Sequence, residues 1–379
     1  MKKITIVNRH YPPNINITGE NARDLAKYLI EKHQVDVAVV HVDRAYEGGG
    51  GIKAAVGKVF PIKTIYSGNK AGWRHLSSFY DGYMLMRKAI QLNHGPIICM
   101  TSPPLLPMWA SILLRKKKAT WILWAMDFFP EGFAASNQMN EKGWFYNWCI
   151  KKTYEFAPNH IIALGPQQAI YAQQKYRLPI SNVILPCGVF IDKQVDDTLP
   201  DWKTDSNKIY LGYCGNISQA HSEEFLMSVI DAIDPNKFNL VLALYGTKAD
   251  QMRAYAANKH GIIIVKTVPR KQLHHIDIHL ASLVNSWTHI AVPSKAVSSI
   301  CAGAALLFCG NKESDNWVLL KEAGWLIEDQ PNKREQVHQV LNYITKSEVE
   351  DKKSHARRIA MELENTIQKS YDTIASWAE

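Results

Sequence analysis

Two doubly wound α/β domains are what this sequence predicts, on three observations. Short apolar runs alternate with amphipathic helical stretches along most of the chain, the rhythm of parallel strands joined by covering helices. That rhythm stops in a polar, proline-containing stretch at 191–207 and then restarts, as it does at a domain boundary. The length, 379 residues, exceeds what one ordinary core supports. The expected division is a Rossmann-like first domain at 1–190, a linker at 191–207 and a second Rossmann-like domain at 208–350. Residues 351–379 are expected to form a long helix crossing back onto the first domain.

The elements follow in order. Residues 4–7 are apolar and open the first sheet as a strand. Helix is expected over 20–32, where Leu25, Leu29 and Ile30 share one face. The run 35–42 is continuously apolar, as in a strand buried on both faces. Glycines at 48–51 mark a mobile loop. Helix over 76–92, strand over 97–101 and helix over 104–117 come next, the last with proline in its first turn. Further strands are read at 120–126, 160–164 and 182–185, with helices between. In the second half, strands are read at 208–214, 240–245, 262–266, 278–284 and 306–309, and helices at 223–233 and 248–259. The tail, 348–378, is helical with few apolar positions.

Composition narrows the class. Hydrophobic content of 46% and charged content of 21% are those of a soluble globular protein. No stretch is long and apolar enough to span a bilayer. Met1-Lys2-Lys3-Ile4 turns polar too soon for a signal peptide, so a cytoplasmic location is expected. The six cysteines form no C-x-x-C pair and sit mostly in apolar segments, which argues for free buried thiols. The net charge of +9 fits a basic solvated surface, a phosphorylated substrate or an anionic membrane. Arg115-Lys116-Lys117-Lys118, close to Trp121 and Trp124, suits a membrane face. No nucleic-acid-binding signature accompanies the charge.

Doubly wound domains hold ligands in the loops after their strands. The punctuation falls there: Arg9-His10-Tyr11-Pro12-Pro13 and Thr18-Gly19-Glu20 after the first strand, Asp127-Phe128-Phe129-Pro130-Glu131 after the fifth, and Gly215-Asn216 after the first strand of the second domain. Gly19 and Gly215 are either turn residues with positive φ or places where backbone amides approach an anion. Asp127 either caps the helix that follows or stands near a reacting hydroxyl as a proton acceptor. His10 either is a solvated capping residue or faces the cleft. The strongest stretch is Pro293-Ser294-Lys295, a helix entry whose helix ends at Gly303 before an apolar strand. The helix dipole disfavours a cation at such a start unless an anion compensates, so Lys295 is expected at a cleft edge against a diphosphate. Trp144, Phe145 and Trp148, with Phe128, Phe129 and Phe133, read either as core or as a landing surface for a polyprenyl-linked acceptor.

Several motifs, in order along most of the chain, resemble the large retaining family of GT-B glycosyltransferases found in bacterial O-antigen, capsule and exopolysaccharide synthesis. They are Tyr11-Pro12-Pro13 with Thr18-Gly19-Glu20, Thr101-Ser102-Pro103-Pro104, Asp127-Phe128-Phe129-Pro130-Glu131, Pro186-Cys187-Gly188-Val189 and Tyr213-Cys214-Gly215-Asn216-Ile217. The resemblance implies a GT-B fold with an interdomain cleft, and transfer of a sugar from a nucleotide-diphosphate donor, UDP favoured, to a glycan or lipid-linked hydroxyl. It implies retention of configuration without a metal or other cofactor. It places the donor against Gly19, Gly215, Asn216, Gly246, Thr247, Pro269, Pro293, Ser294, Lys295, Ser298 and Ser299. It places Glu20, Phe129 and Glu131 on the acceptor side, and gives the chemistry to Asp127, Lys295 and His10. The family's two glutamates, eight residues apart, would fall near Ile290 and at Ser298, and neither is glutamate here. A nucleotide-sugar 2-epimerase of the same fold, using His10, Asp127, His221 and His289, is one alternative. A catalytically silent subunit that binds a partner or a membrane is another.

Overall fold

The computed structural model describes residues 1–14, 16–43, 53–66, 68, 71–189 and 195–379. The glycine run at 48–51, Ile15 of the first motif loop and the start of the expected linker lie outside the described residues. Two compact units divide the chain: Met1–Cys187 with Thr366–Glu379, and Gly188–Asn365.

The first unit is built on seven parallel strands, β1 Lys3–Val7, β2 Asp36–Asp43, β3 Lys58–Lys63, β4 Ile97–Met100, β5 Trp121–Trp124, β6 His160–Ala163 and β7 Ser181–Ile184. Their order is β3-β2-β1-β4-β5-β6-β7. Helices α1 Ile17–His33, α2 Ala71–Leu92, α3 Leu106–Arg115, α4 Glu131–Ala135, α5 Trp144–Tyr154 and α6 Pro166–Tyr176 connect them. The apolar run after Val35 becomes β2, buried along six consecutive residues as a strand covered on both faces must be. The sequence reading missed β3. Pro61 interrupts its alternation, and proline is tolerated there because the strand is at an edge.

The second unit has six parallel strands, β8 Ile209–Asn216, β9 Phe238–Tyr245, β10 Ile262–Ile264, β11 Ile278–Ser282, β12 Ala305–Gly310 and β13 Gly324–Glu328. Their order is β10-β9-β8-β11-β12-β13. Helices α7 Glu223–Ala232, α8 Ala249–Ala256, α9 Ser294–Cys301, α10 Asp315–Leu320, α11 Lys333–Tyr343 and α12 Lys346–Ser376 accompany them. The main core packs Leu211, Tyr213, Phe225, Leu240 and Leu307 among other fully enclosed side chains. β13 and α11 escaped the sequence reading, β13 because Gly-Trp-Leu-Ile-Glu is short and only partly buried.

The six cysteines are free thiols, four of them buried. No helix among the described residues is long and apolar enough to cross a membrane.

Residues 366–379 complete the first unit. Tyr28 donates to Asp372, Ser370 donates to the Ile184 carbonyl, and the Trp377 ring stacks on His160 at 4.2 Å. Ile367, Tyr371, Ile374 and Ala375 are buried along this turn series, a spacing of three and four that lays one apolar stripe onto the unit. Ile374→Ala is therefore expected to destabilise the first unit by about 2–5 kcal/mol, read from urea unfolding followed by tryptophan fluorescence.

Candidate functional site at the strand ends

In both sheets the chain order reverses direction at the first strand, between β1 and β4 and between β8 and β11. At such a switch point the following loops run to opposite sides and leave a crevice at the carboxyl ends of the strands.

In the second unit this point carries a cation. β8 pairs with β11 only at Leu211 and Gly212, while its pairing with β9 continues to Asn216. The last residues of β8 thus have no register partner in β11. Lys295 reaches them from the first turn of α9. Its Nζ donates to the Asn216 carbonyl at 2.6 Å and to the Tyr213 hydroxyl at 2.7 Å, and stands 4.2 Å above the Tyr213 ring. No carboxylate pairs with it among the described residues. Burial pushes the Lys295 ammonium down to about 7 and holds the Tyr213 phenol above its ordinary range.

The neighbouring loops are zippered together. Ile217 N–H donates to the Tyr245 carbonyl and Lys248 N–H to that of Ile217. Gly246, at φ +105°, permits this, because a Cβ there would lie 2.0 Å from the Asn216 Oδ1. Gly215, at φ +132°, is different: a Cβ would meet nothing within 4 Å. Only its backbone conformation requires glycine, and the space beside it is open. His221 Nδ1 faces the Ser218 N–H and hydroxyl, each at 3.2 Å. Burial, and then the charges of Lys295 and Lys248, hold His221 well below its ordinary range, so the ring is neutral. The Ile217, Ser218 and Lys248 amides are thus spent within the loops, and what remains beside the open flank of Gly215 is the Lys295 cation, a group suited to an anion.

In the first unit, three loops are stitched at the equivalent edge. Arg9 N–H donates to the Ser102 carbonyl at 2.6 Å. The Thr101 hydroxyl accepts from the amides of Met126 and Asp127 at 3.2 and 3.1 Å. Asn8 donates to the His10 carbonyl and to Thr18, fixing the loop before α1. The Asp127 carboxyl has no hydrogen-bond or ion-pair partner among the described residues, and burial pushes it up to about 6. A carboxyl in that state can exchange a proton near neutral pH.

Several sequence expectations are revised. Asp127 does not cap the next helix; Pro130 holds that position with no side-chain hydrogen bond. Gly19 is not a positive-φ turn but lies inside α1, where a Cβ would come 3.0 Å from the His10 carbonyl. Glu131 is buried and accepts from the Tyr154 hydroxyl at 2.6 Å, so one of its oxygens is spent on the core. Glu20 is also buried, 3.6 Å from Lys53. Phe129 packs on Phe133. The Ser298 hydroxyl donates to the Gly188 carbonyl and the Ser299 hydroxyl to that of Lys295, so both are engaged. Lys295 is not a free cation at an edge but is held by Tyr213 and Asn216. Gly246, Thr247 and Pro269 are exposed, and Pro293 accepts from Asn316 at 3.0 Å. Trp121 and Trp124 are buried within β5, so the basic cluster at 115–118 has no aromatic companion from that strand. The role of Tyr213 was missed; a tyrosine in a buried strand carries no sequence mark of the partner it meets.

These two sheets and their strand orders define the GT-B glycosyltransferase fold, and full-length structural neighbours share it. WaaG, a glycosyltransferase involved in lipopolysaccharide biosynthesis, matches at TM-score 0.69 and 13% identity, over 98% of this chain and 99% of that one. Sucrose-phosphate synthase from Thermosynechococcus elongatus matches at TM-score 0.73 and 9% identity, over 98% of each. Anabaena HepE in complex with UDP and glucose matches at TM-score 0.65 and 14% identity, over 99% of this chain and 100% of that one. No protein-family model and no curated protein sequence matches the chain.

The two perturbed groups give pH-dependent stability of opposite sign. Lys295 is proton-poor in the fold relative to the unfolded chain between pH 7 and its ordinary range, so its cost is full at and below neutrality and fades as pH rises. The melting temperature of Lys295→Met relative to the parent should be higher at pH 7 than at pH 10, on top of a pH-independent loss from stripping the Asn216 carbonyl of its donor. Asp127 is proton-rich in the fold between its ordinary value and about 6. Asp127→Asn should stabilise above pH 6 and lose that gain as pH falls below 4. Thermal denaturation of both variants across pH 4–10 checks the signs.

Proposed function

We propose that the protein is a glycosyltransferase that moves a sugar from a nucleotide-diphosphate donor, UDP favoured, to a hydroxyl acceptor in surface polysaccharide synthesis. One observation carries the reading. Lys295 holds an ammonium with no carboxylate partner among the described residues at the switch point of β8, beside the open space at Gly215. A diphosphate is an anion that a compact cation beside open glycine backbone suits. The GT-B fold supports the same reading, and among its neighbours HepE is in complex with UDP and glucose.

As the glycosidic bond breaks, negative charge grows on the departing diphosphate. In this reading Lys295 meets that charge as it develops. Burial weakens the hold of Lys295 on its proton, and an arriving phosphate strengthens it, because an anion raises the affinity of its neighbour for a proton. Asp127 accepts a hydrogen bond or proton from the acceptor hydroxyl, and His10 stands in the same loop edge of the first unit. Charge stabilisation by lysine leaves no step that calls for a metal, so activity should persist in chelator. Retention is proposed with the family resemblance and is read from the anomeric proton of the product.

Calorimetry with UDP, GDP and ADP tests the donor site; absence of binding to all three at millimolar concentration would overturn the proposal. Lys295→Ala is expected to lower kcat/KM by about 100-fold, the scale for losing one preorganised charge-stabilising donor, with kcat affected as well as KM. Lys295→Arg should recover part of that loss, since a planar fork does not reproduce an ammonium.

A further inference from the structure

Two helix ends of the first unit leave large apolar side chains in solvent. On α2 these are Trp73, Leu76 and Tyr80; on α5 they are Trp144, Phe145 and Trp148. Trp144 is 80% exposed and Trp73 56%. The spacing along α2 is three and four residues, one stripe of a helix. On α5, Phe145 stacks on Trp148 and meets Trp144 edge-on, so the three rings form one cluster.

The topology brings the two ends together. α2 joins β3 to β4 and α3 joins β4 to β5, in each case parallel strands of one sheet, so both helices run against the strands, starting at the carboxyl edge of the sheet. α5 runs alongside α3 in the same direction: Cys149 packs with Leu105 and Met108, and Glu155 pairs with Arg115 at 2.5 Å. Between the helix ends lies Phe133, edge-on to His75 of α2 at 5.8 Å and packed in the cluster of Cys149. The exposed rings thus gather at the end of the unit that carries His10 and Asp127.

The charge there is positive. Residues 72–80 and 141–151 contain Arg74, Lys142 and Lys151 against one carboxylate, Glu141. All three cations are exposed, and none forms an ion pair among the described residues. The basic cluster at 115–118 sits at the opposite end of α3, where Arg115 is neutralised by Glu155.

We propose that this aromatic end of α2 and α5 is the docking surface for an anionic phospholipid bilayer. Tryptophan and tyrosine rings suit the headgroup boundary, and cations beside them suit anionic lipid. Membrane contact there faces the Asp127 edge towards the lipid, where a lipid-linked hydroxyl would arrive. That last clause rests on the function proposed above; the docking does not.

Sedimentation with phosphatidylcholine vesicles, with and without phosphatidylglycerol, tests it. The full chain should sediment with the mixed vesicles and be released by salt. The triple variant Trp73→Ala, Trp144→Ala, Trp148→Ala should reduce the bound fraction about tenfold while keeping its circular dichroism and its UDP affinity. A variant with Arg115, Lys116, Lys117 and Lys118 all changed to Gln should bind as the parent does. Equal binding to neutral vesicles, retention by the triple variant, loss by the Gln variant, or a dimer that dissociates in the triple variant would each overturn the assignment.

Discussion

The site depends on how little of β8 is shared with β11. Two register pairs hold those strands together, at Leu211 and Gly212, whereas β9 follows β8 to its end. From Tyr213 onward one edge of a central strand is therefore unpaired, and a buried carbonyl without a partner is costly. Lys295 answers that need at Asn216. The same unpaired edge keeps the flank of Gly215 open. Had the β8–β11 ladder continued past Gly212, a strand would stand where Lys295 now does.

Burial acts on Lys295 and Asp127 through one cause and in opposite directions. Each is drawn towards neutrality by loss of solvent, the amine downward and the carboxyl upward. The two groups stand at equivalent strand edges of separate units, and each arrives near neutral pH from a distant starting value. Strongly perturbed groups of this kind are enriched at functional sites. In the second unit the surroundings reinforce the effect, since His221 is held neutral partly by the lysines themselves.

What the sequence revealed and what it concealed divide along range. The α9 entry at Pro293-Ser294 and its exit at Gly303 were legible because helix boundaries are written in a few adjacent residues. The two-unit architecture was legible because βαβ rhythm is periodic. The enclosure of Lys295 was not, since its partners Tyr213 and Asn216 lie 82 and 79 residues away. The same holds for Ser298, whose hydroxyl is taken by Gly188, 110 residues distant. Glu131 looked like a loop carboxylate in sequence, yet a tyrosine from α5 claims it. A motif shows which residue types are gathered; it does not show which of their atoms the fold has already used.

Residues 366–379 belong to the unit that begins at Met1. On the ribosome, chain emerges from its N-terminal side, and domains ordinarily fold as they are made. Here the unit synthesised first is completed last. Its sheet can assemble early, but the surface beneath Tyr371 and Ile374 stays bare until nearly all of residues 188–365 have been translated. During that interval the nascent protein exposes apolar area that the finished protein hides. The second unit, contiguous in sequence, closes without waiting. Order of synthesis and order of completion are thus reversed, and a chaperone would meet the first unit, not the second, as its longer-lived client.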